Sequence, residues 1–141
     1  MRTPYDGKVL IAEDNDDVGL MLQCMLKSEG IAADLVGNGE QALEAISKER
    51  PDVLVTDIFM PIKDGLDLIK EVRDQEAASG GHNLPIIAMS NAGQEKLSKA
   101  LRAGAAYALD KINFLGVIEK IKQTLRERSV SPPLASAVSF T

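Results

Sequence analysis

Tryptophan is absent from this chain, and two tyrosines and three phenylalanines are its only aromatic residues. Any core must therefore be mostly aliphatic. A single cysteine, Cys24, excludes an intramolecular disulfide, and nothing around it suggests metal ligation. Set among Leu22, Met25 and Leu26, it reads as a buried helix cysteine. No apolar run approaches the roughly 20 residues needed to span a bilayer, and the opening Met1-Arg2-Thr3-Pro4-Tyr5-Asp6 lacks the apolar stretch of a signal peptide. The expected setting is cytoplasmic, without a membrane partner. Positive charge is also in deficit. Sixteen Lys and Arg against 21 Asp and Glu leave a net charge of -5, which argues against nucleic acid as a partner.

What is present is ordinary for a globular chain: 45% hydrophobic and 26% charged residues over 141 positions, enough for one domain with one core. Lys8-Val9-Leu10-Ile11-Ala12 is a short apolar run that stops at Glu13-Asp14-Asn15-Asp16-Asp17. Runs of this kind read as buried strands. Val18, Leu22, Met25 and Leu26, with Met21 beside them, then mark a helix face that ends at Gly30. The alternation repeats. Strands are expected at 32–36, 52–56, 85–89 and, more weakly, 106–109. Helices are expected after Asn38, through Leu66, Ile69 and Val72, through Leu97, Ala100 and Leu101, and from Phe114 to Leu125. The stretch Ser79-Gly80-Gly81-His82-Asn83 has loop composition.

Five strands alternating with five helices, the strands apolar on both faces, predict a parallel sheet covered by helices on each side. Right-handed crossovers make it a doubly wound α/β domain. No internal repeat is evident. The domain is expected to fill residues 1–128. Residues 129–141 contain two prolines and no charge, and are expected to form a disordered tail.

In open α/β sheets, function gathers at the carboxyl ends of the strands. Those ends carry Glu13 and Asp14 after strand one, Asp57 after strand three, Ser90 after strand four and Lys111 past strand five. Three clustered carboxylates repel one another unless a cation intervenes. An oxygen-rich set of this kind suits Mg2+. With the metal bound, the Asp57 carboxylate can act as a nucleophile toward a phosphoryl group, with Lys111 and the Ser90 hydroxyl contacting its oxygens.

Plainer roles exist for each residue alone. Asp16 fits a helix N-cap and Asp17 a first-turn acid that complements the helix dipole. Asp14 suits a cap, Asp57 a turn start, Lys111 an exposed position and Ser90 a loop. Asp64-Gly65 fits a turn and helix start. It is the convergence of five such residues from distant positions that favours a site.

These stretches resemble the receiver domains of response regulators, the family that includes the single-domain chemotaxis regulator. The resemblance rests on Val9-Leu10-Ile11-Ala12-Glu13-Asp14, on Val55-Thr56-Asp57-Ile58-Phe59-Met60-Pro61 with Asp64-Gly65, on Ile87-Ala88-Met89-Ser90-Asn91-Ala92, and on Gly104-Ala105 through Lys111. It covers about residues 7 to 127. It implies a flavodoxin-like fold of receiver topology with Asp57 as phosphoacceptor. Mg2+ is then held by Asp14, Asp57 and the backbone carbonyl of Phe59, and Glu13 acts mainly through metal-bound water. Ser90 and Lys111 match the hydroxyl and lysine that hold the phosphoryl group. The implied donor is a histidine kinase or phosphotransfer protein, and the implied output is a phosphorylation-dependent contact with a downstream protein that the sequence does not identify. Such a chain is no enzyme in the usual sense, since it catalyses only its own phosphoryl transfer and dephosphorylation. His82 reads as a solvated loop residue rather than a phosphohistidine.

Three departures from the family pattern bear on that reading. Ile112 follows Lys111 where the family usually has a cis proline. A cis bond before a non-proline residue costs roughly 2.5–4 kcal/mol, so a trans bond is expected. Ala108 stands where an aromatic residue usually rotates inward on activation, and strand alternation points the neighbouring Tyr107 to the opposite face. Phe59 places a bulky apolar group beside the acceptor, where it is expected to shield an acyl phosphate from water. An aspartate-nucleophile phosphatase is disfavoured because Phe59 occupies the place of its general acid, and an FMN carrier because Glu13 to Asp17 would repel a phosphate. The serious alternative is a receiver-like interaction module independent of phosphorylation. The usual output face, helix four, strand five and helix five, would here include Lys99, Arg102, Tyr107 or Ala108, and residues near Lys120.

Overall fold

Five runs of aliphatic residues form five strands, each followed by a helix. The computed structural model describes residues 5–81 and 83–130, with only the backbone of residues 129 and 130. In chain order the elements are β1 (Lys8–Ala12), α1 (Asp16–Ser28), β2 (Ala32–Val36), α2 (Gly39–Lys48), β3 (Val53–Asp57), α3 (Gly65–Ala78), β4 (Ile86–Ser90), α4 (Gln94–Ala103), β5 (Tyr107–Asp110) and α5 (Phe114–Val130). The strands make one parallel sheet in the order β2-β1-β3-β4-β5. The doubly wound α/β architecture read from the sequence is therefore the one observed.

Successive strand residues feed opposite faces. Leu10, Leu54, Ile86 and Ala88 pack against α2, α3 and α4, whereas Val9, Val55, Ile87 and Met89 pack against α1 and α5. All five residues of β3 and of β4 are buried, which is why those strands read as nearly continuous apolar runs rather than alternating ones. Each fully buried Leu or Ile contributes about 1.5–3 kcal/mol relative to exposure. Among the described residues, no helix is long and apolar enough to cross a membrane.

Several local expectations are corrected. Cys24 is exposed, not buried. The buried face of α1 carries Gly19, Leu22 and Leu26, and a residue two positions from both Leu22 and Leu26 falls on the other side of the helix. The cap of α1 is Asn15, whose side chain accepts from the Val18 amide at 3.1 Å, and Asp16 is instead a first-turn acid like Asp17. Asn38 caps α2 as read, and the helix start read at Asp64-Gly65 opens α3, with Asp64 as its cap. Helix α5 runs on to Val130, two residues past the domain limit expected at 128, which itself stays an expectation. The rest of the expected tail, residues 131–141, and His82 lie outside the described residues.

Candidate functional site

The strand register brings the candidate residues to one rim. Ala12 pairs with Thr56, so Glu13 and Asp57 follow on neighbouring strands. Asp57 pairs with Met89, which puts Ser90 one step beyond it, and Ser90 pairs with Asp110, which puts Lys111 next. Glu13, Asp57 and Ser90 are buried, whereas Asp14 is exposed. One carboxylate oxygen from each of Glu13, Asp14 and Asp57 lies within 4.8 Å of the others. Asp14 and Lys111 thus share the end of the sheet that holds Asp57.

Lys111 bridges two of these acids. Its Nζ stands 2.7 Å from Glu13 Oε1 and 3.1 Å from Asp57 Oδ2, the second contact being a hydrogen bond. Burial opposes the lysine's charge, yet the Glu13 and Asp57 carboxylates outweigh it and hold Lys111 above its ordinary range. For Glu13, burial comes first and raises the carboxyl group, and the Asp57 charge adds to it. Lys111 and the Asn15 amide at 3.1 Å pull it only partly back. The sequence reading assigned Lys111 to a phosphoryl group and Glu13 to metal-bound water. It missed that these two pair with each other, because that pairing depends on register across four strands.

The Asp57 side chain meets a second donor in the Phe59 amide, 3.4 Å from Oδ1. The Phe59 ring is half exposed, with Lys96 Nζ 5.4 Å from its centroid. The Ser90 hydroxyl oxygen accepts from the Ala92 amide at 3.0 Å. Among the described residues it donates to no acceptor, so its proton is available to a ligand. Behind Asp57 the chain turns sharply. Lys63 donates its amide to the Pro61 carbonyl at 2.7 Å, and Ile62 between them has φ 69°. That is the left-handed region, unusual for a β-branched residue and characteristic of a tight γ-turn. The sequence reads Met60 to Gly65 as a turn, but nothing in it announced the left-handed conformation at Ile62.

The donor set fits a hard divalent cation. Glu13 Oε1 is buried and accepts no hydrogen bond with proper geometry despite its ion pair to Lys111. Three carboxylates of which one is solvent-facing leave a path of entry, and oxygen ligands suit Mg2+.

The family described as "Response regulator receiver domain" matches residues 9–123. The chain belongs to the response regulator receiver family. It is 36% identical over 99 residues to the chemotaxis protein CheY of Halobacterium salinarum, covering 70% of this chain and 78% of that protein. Among solved structures, the receiver domain of the Francisella response regulator 1452 has a TM-score of 0.79 and 26% identity, over 87% of this chain and 99% of the other. The receiver domain of Saccharomyces cerevisiae Ssk1, solved with the histidine phosphotransfer protein Ypd1, shares the fold with a TM-score of 0.84 at 23% identity, over 92% of this chain and 95% of the other. Receiver domains are signalling modules of two-component systems, and the acidic cluster of this one is compatible with Mg2+.

Against that family pattern, two of the departures take definite form. The described residues contain no cis peptide bond, so Lys111 and Ile112 are joined in trans, as expected. Ala108 packs with the α2, α3 and α4 layer and Tyr107 with the other. Tyr107 is engaged there: Lys120 Nζ sits 4.5 Å from its ring centroid, and Gln123 Nε2 donates to its hydroxyl at 3.4 Å.

Proposed function

We propose that this receiver accepts a phosphoryl group on Asp57 from a phosphohistidine and passes the signal on through a protein contact that depends on that modification. The observation that carries this reading is the meeting of Glu13, Asp14, Asp57, Ser90 and Lys111 at one rim, with Lys111 already 3.1 Å from the acceptor oxygen. Asp57 attacks phosphorus, an O–P bond forms as the donor's N–P bond breaks, and the electron pair leaves with the imidazole. Asp14, Asp57 and the Phe59 carbonyl would hold Mg2+, with Glu13 reaching it through water. The bound cation would offset the negative charge gathering on the transferred oxygens. Lys111 leaves Glu13 to pair with one phosphoryl oxygen, and the unused Ser90 proton donates to another. The donor is a histidine kinase or a phosphotransfer protein, the latter being what the Ssk1 receiver is solved with. The recipient of the signal is another protein.

Incubation with acetyl phosphate and Mg2+, followed by intact mass, tests this directly. One phosphoryl adduct is expected, lost in Asp57→Asn and without Mg2+. Absence of any adduct would favour the second reading, an interaction module that works unphosphorylated. Ala108 and the engagement of Tyr107 with Lys120 and Gln123 on the far face support that reading, since they remove the usual aromatic readout.

Phe59 adds a prediction of its own. Its half-exposed ring beside the acceptor shields the acyl phosphate from water. Phe59→Asn is expected to shorten the half-life of the phosphorylated form. A half-life that is unchanged or longer removes the shield.

A further inference from the structure

Lys70 of α3 meets Lys99 and Arg102 of α4 in one groove of this acidic chain, a cleft of about 400 Å3 completed by Leu66 and Ala103. The sequence reading gave Lys99 and Arg102 to the face of α4, β5 and α5, whereas the structure lines them along a cleft shared with α3. No carboxylate lines it. Lys99 has a partial counter-ion in Glu95, 3.5 Å away on a largely exposed side chain. Among the described residues, Lys70 and Arg102 form no ion pair, although Asp67 and Asp74 lie nearby on α3. Lys96 lies three residues before Lys99, on the same side of α4, and carries the positive charge up to Phe59 at the mouth of the site.

The groove is also held in shape. Arg73 of α3 donates through Nε and Nη2 to the Gly104 carbonyl at the end of α4, at 3.1 and 2.8 Å. Its Nη1 donates to Glu76 at 2.7 Å. Behind the cations, Leu68, Ile69 and Val72 share one core with Leu97 and Ala100. A cleft that needs no ordering on binding costs its occupant less.

We propose that the α3–α4 groove docks an acidic, partly apolar segment of a partner protein. Leu66 and Ala103 offer a half-buried apolar floor, and Lys70, Lys99 and Arg102 flank it with donors for carboxylates. The charge selects the partner. A nucleic acid would meet the field of a chain with net charge -5, and three cations on two helices make too short a track for a phosphate backbone. The proposal concerns the unmodified protein and does not depend on phosphoryl chemistry at Asp57, so the two readings fail separately.

The test uses the full chain and a dye-labelled peptide of repeated Glu-Glu-Leu, followed by fluorescence anisotropy. Saturable, salt-sensitive binding is expected, weakened by about tenfold or more in the double variant Lys70→Gln with Arg102→Gln. The double variant Lys27→Gln with Lys48→Gln, which removes exposed cations elsewhere, is expected to bind like the unaltered chain. Circular dichroism checks that both variants are folded. No binding of the peptide, equal losses in the two double variants, or equal binding of a Lys-Lys-Leu peptide would overturn the proposal. So would a labelled single-stranded DNA that binds and is lost in the groove variant alone.

Discussion

Gly65→Ala is expected to lower folding stability by about 3 kcal/mol, seen as a lower urea midpoint at an unchanged slope. A Cβ at this position would stand 2.1 Å from the Asp57 carbonyl oxygen and 2.9 Å from the Ile58 Cα. Both are backbone atoms, so no flexible side chain can swing away. The close approach is held from the other side too, because the Gly65 amide donates to the Ile58 carbonyl at 2.8 Å. A methyl group therefore forces one of two movements. Either the start of α3 backs off, loosening that bond and the Asp64 cap on the Asp67 amide, or the Asp57 backbone shifts and carries its carboxylate with it. In the second case, acetyl phosphate should also modify the folded variant more slowly than the unaltered chain. A midpoint that does not move would show that the loop yields freely, and that Gly65 serves the turn alone.

That role was out of reach from the sequence, where Asp64-Gly65 reads as a turn and helix start and nothing more. The broad plan was legible for physical reasons. Strands buried on both faces read as nearly continuous apolar runs, as β3 and β4 do up to Thr56-Asp57 and Ser90 at their carboxyl ends, and a parallel sheet puts its loop chemistry at one end. That is why Glu13, Asp14, Asp57, Ser90 and Lys111 could be expected at one rim from their positions alone. Side-chain pairings were not. The contact of Lys111 with Glu13 depends on how four strands are staggered, and the γ-turn at Ile62 on a loop that must return to α3 within a few residues. The exposure of Cys24 is different, since helical periodicity already places it away from Leu22 and Leu26. There the apolar neighbours in sequence outweighed the geometry of the helix. Asn15 rather than Asp16 as the cap is a one-residue shift of a helix boundary.

Glu76 is the plainest case of a residue whose importance the pattern hid, and its removal carries the other large expected effect. It follows Val72 by four positions on the buried face of α3, where an apolar residue would be the default. Its side chain is only 5% exposed, a costly place for a charge without partners. Partners arrive from three places. Arg73 lies 2.7 Å from Oε1, while Arg50, from the α2–β3 connection, and the Leu84 amide, ahead of β4, reach Oε2 at 2.5 and 2.6 Å. One carboxylate so ties α3 to two connections, and through Arg73 to the end of α4 at Gly104. Glu76→Gln keeps the shape but turns an acceptor-only group into one that also donates toward two guanidinium groups. A loss of about 2–3 kcal/mol is expected, below the full cost of breaking a buried pair because both arginines are partly exposed. The pH dependence gives the independent check. Burial alone would raise the Glu76 carboxyl group, but the Leu84 amide, Arg73 and Arg50 outweigh it and hold the group below its usual value of 4.5. A depressed folded value means that the stability it contributes is complete above 4.5 and drains away as pH falls through the folded value. The gap in unfolding free energy between the unaltered chain and Glu76→Gln should therefore be widest near neutral pH and narrow steadily in acid. Urea titrations across that range measure it. A gap that stays constant with pH would mean the carboxylate's charge contributes nothing, and that shape alone holds this corner of the fold.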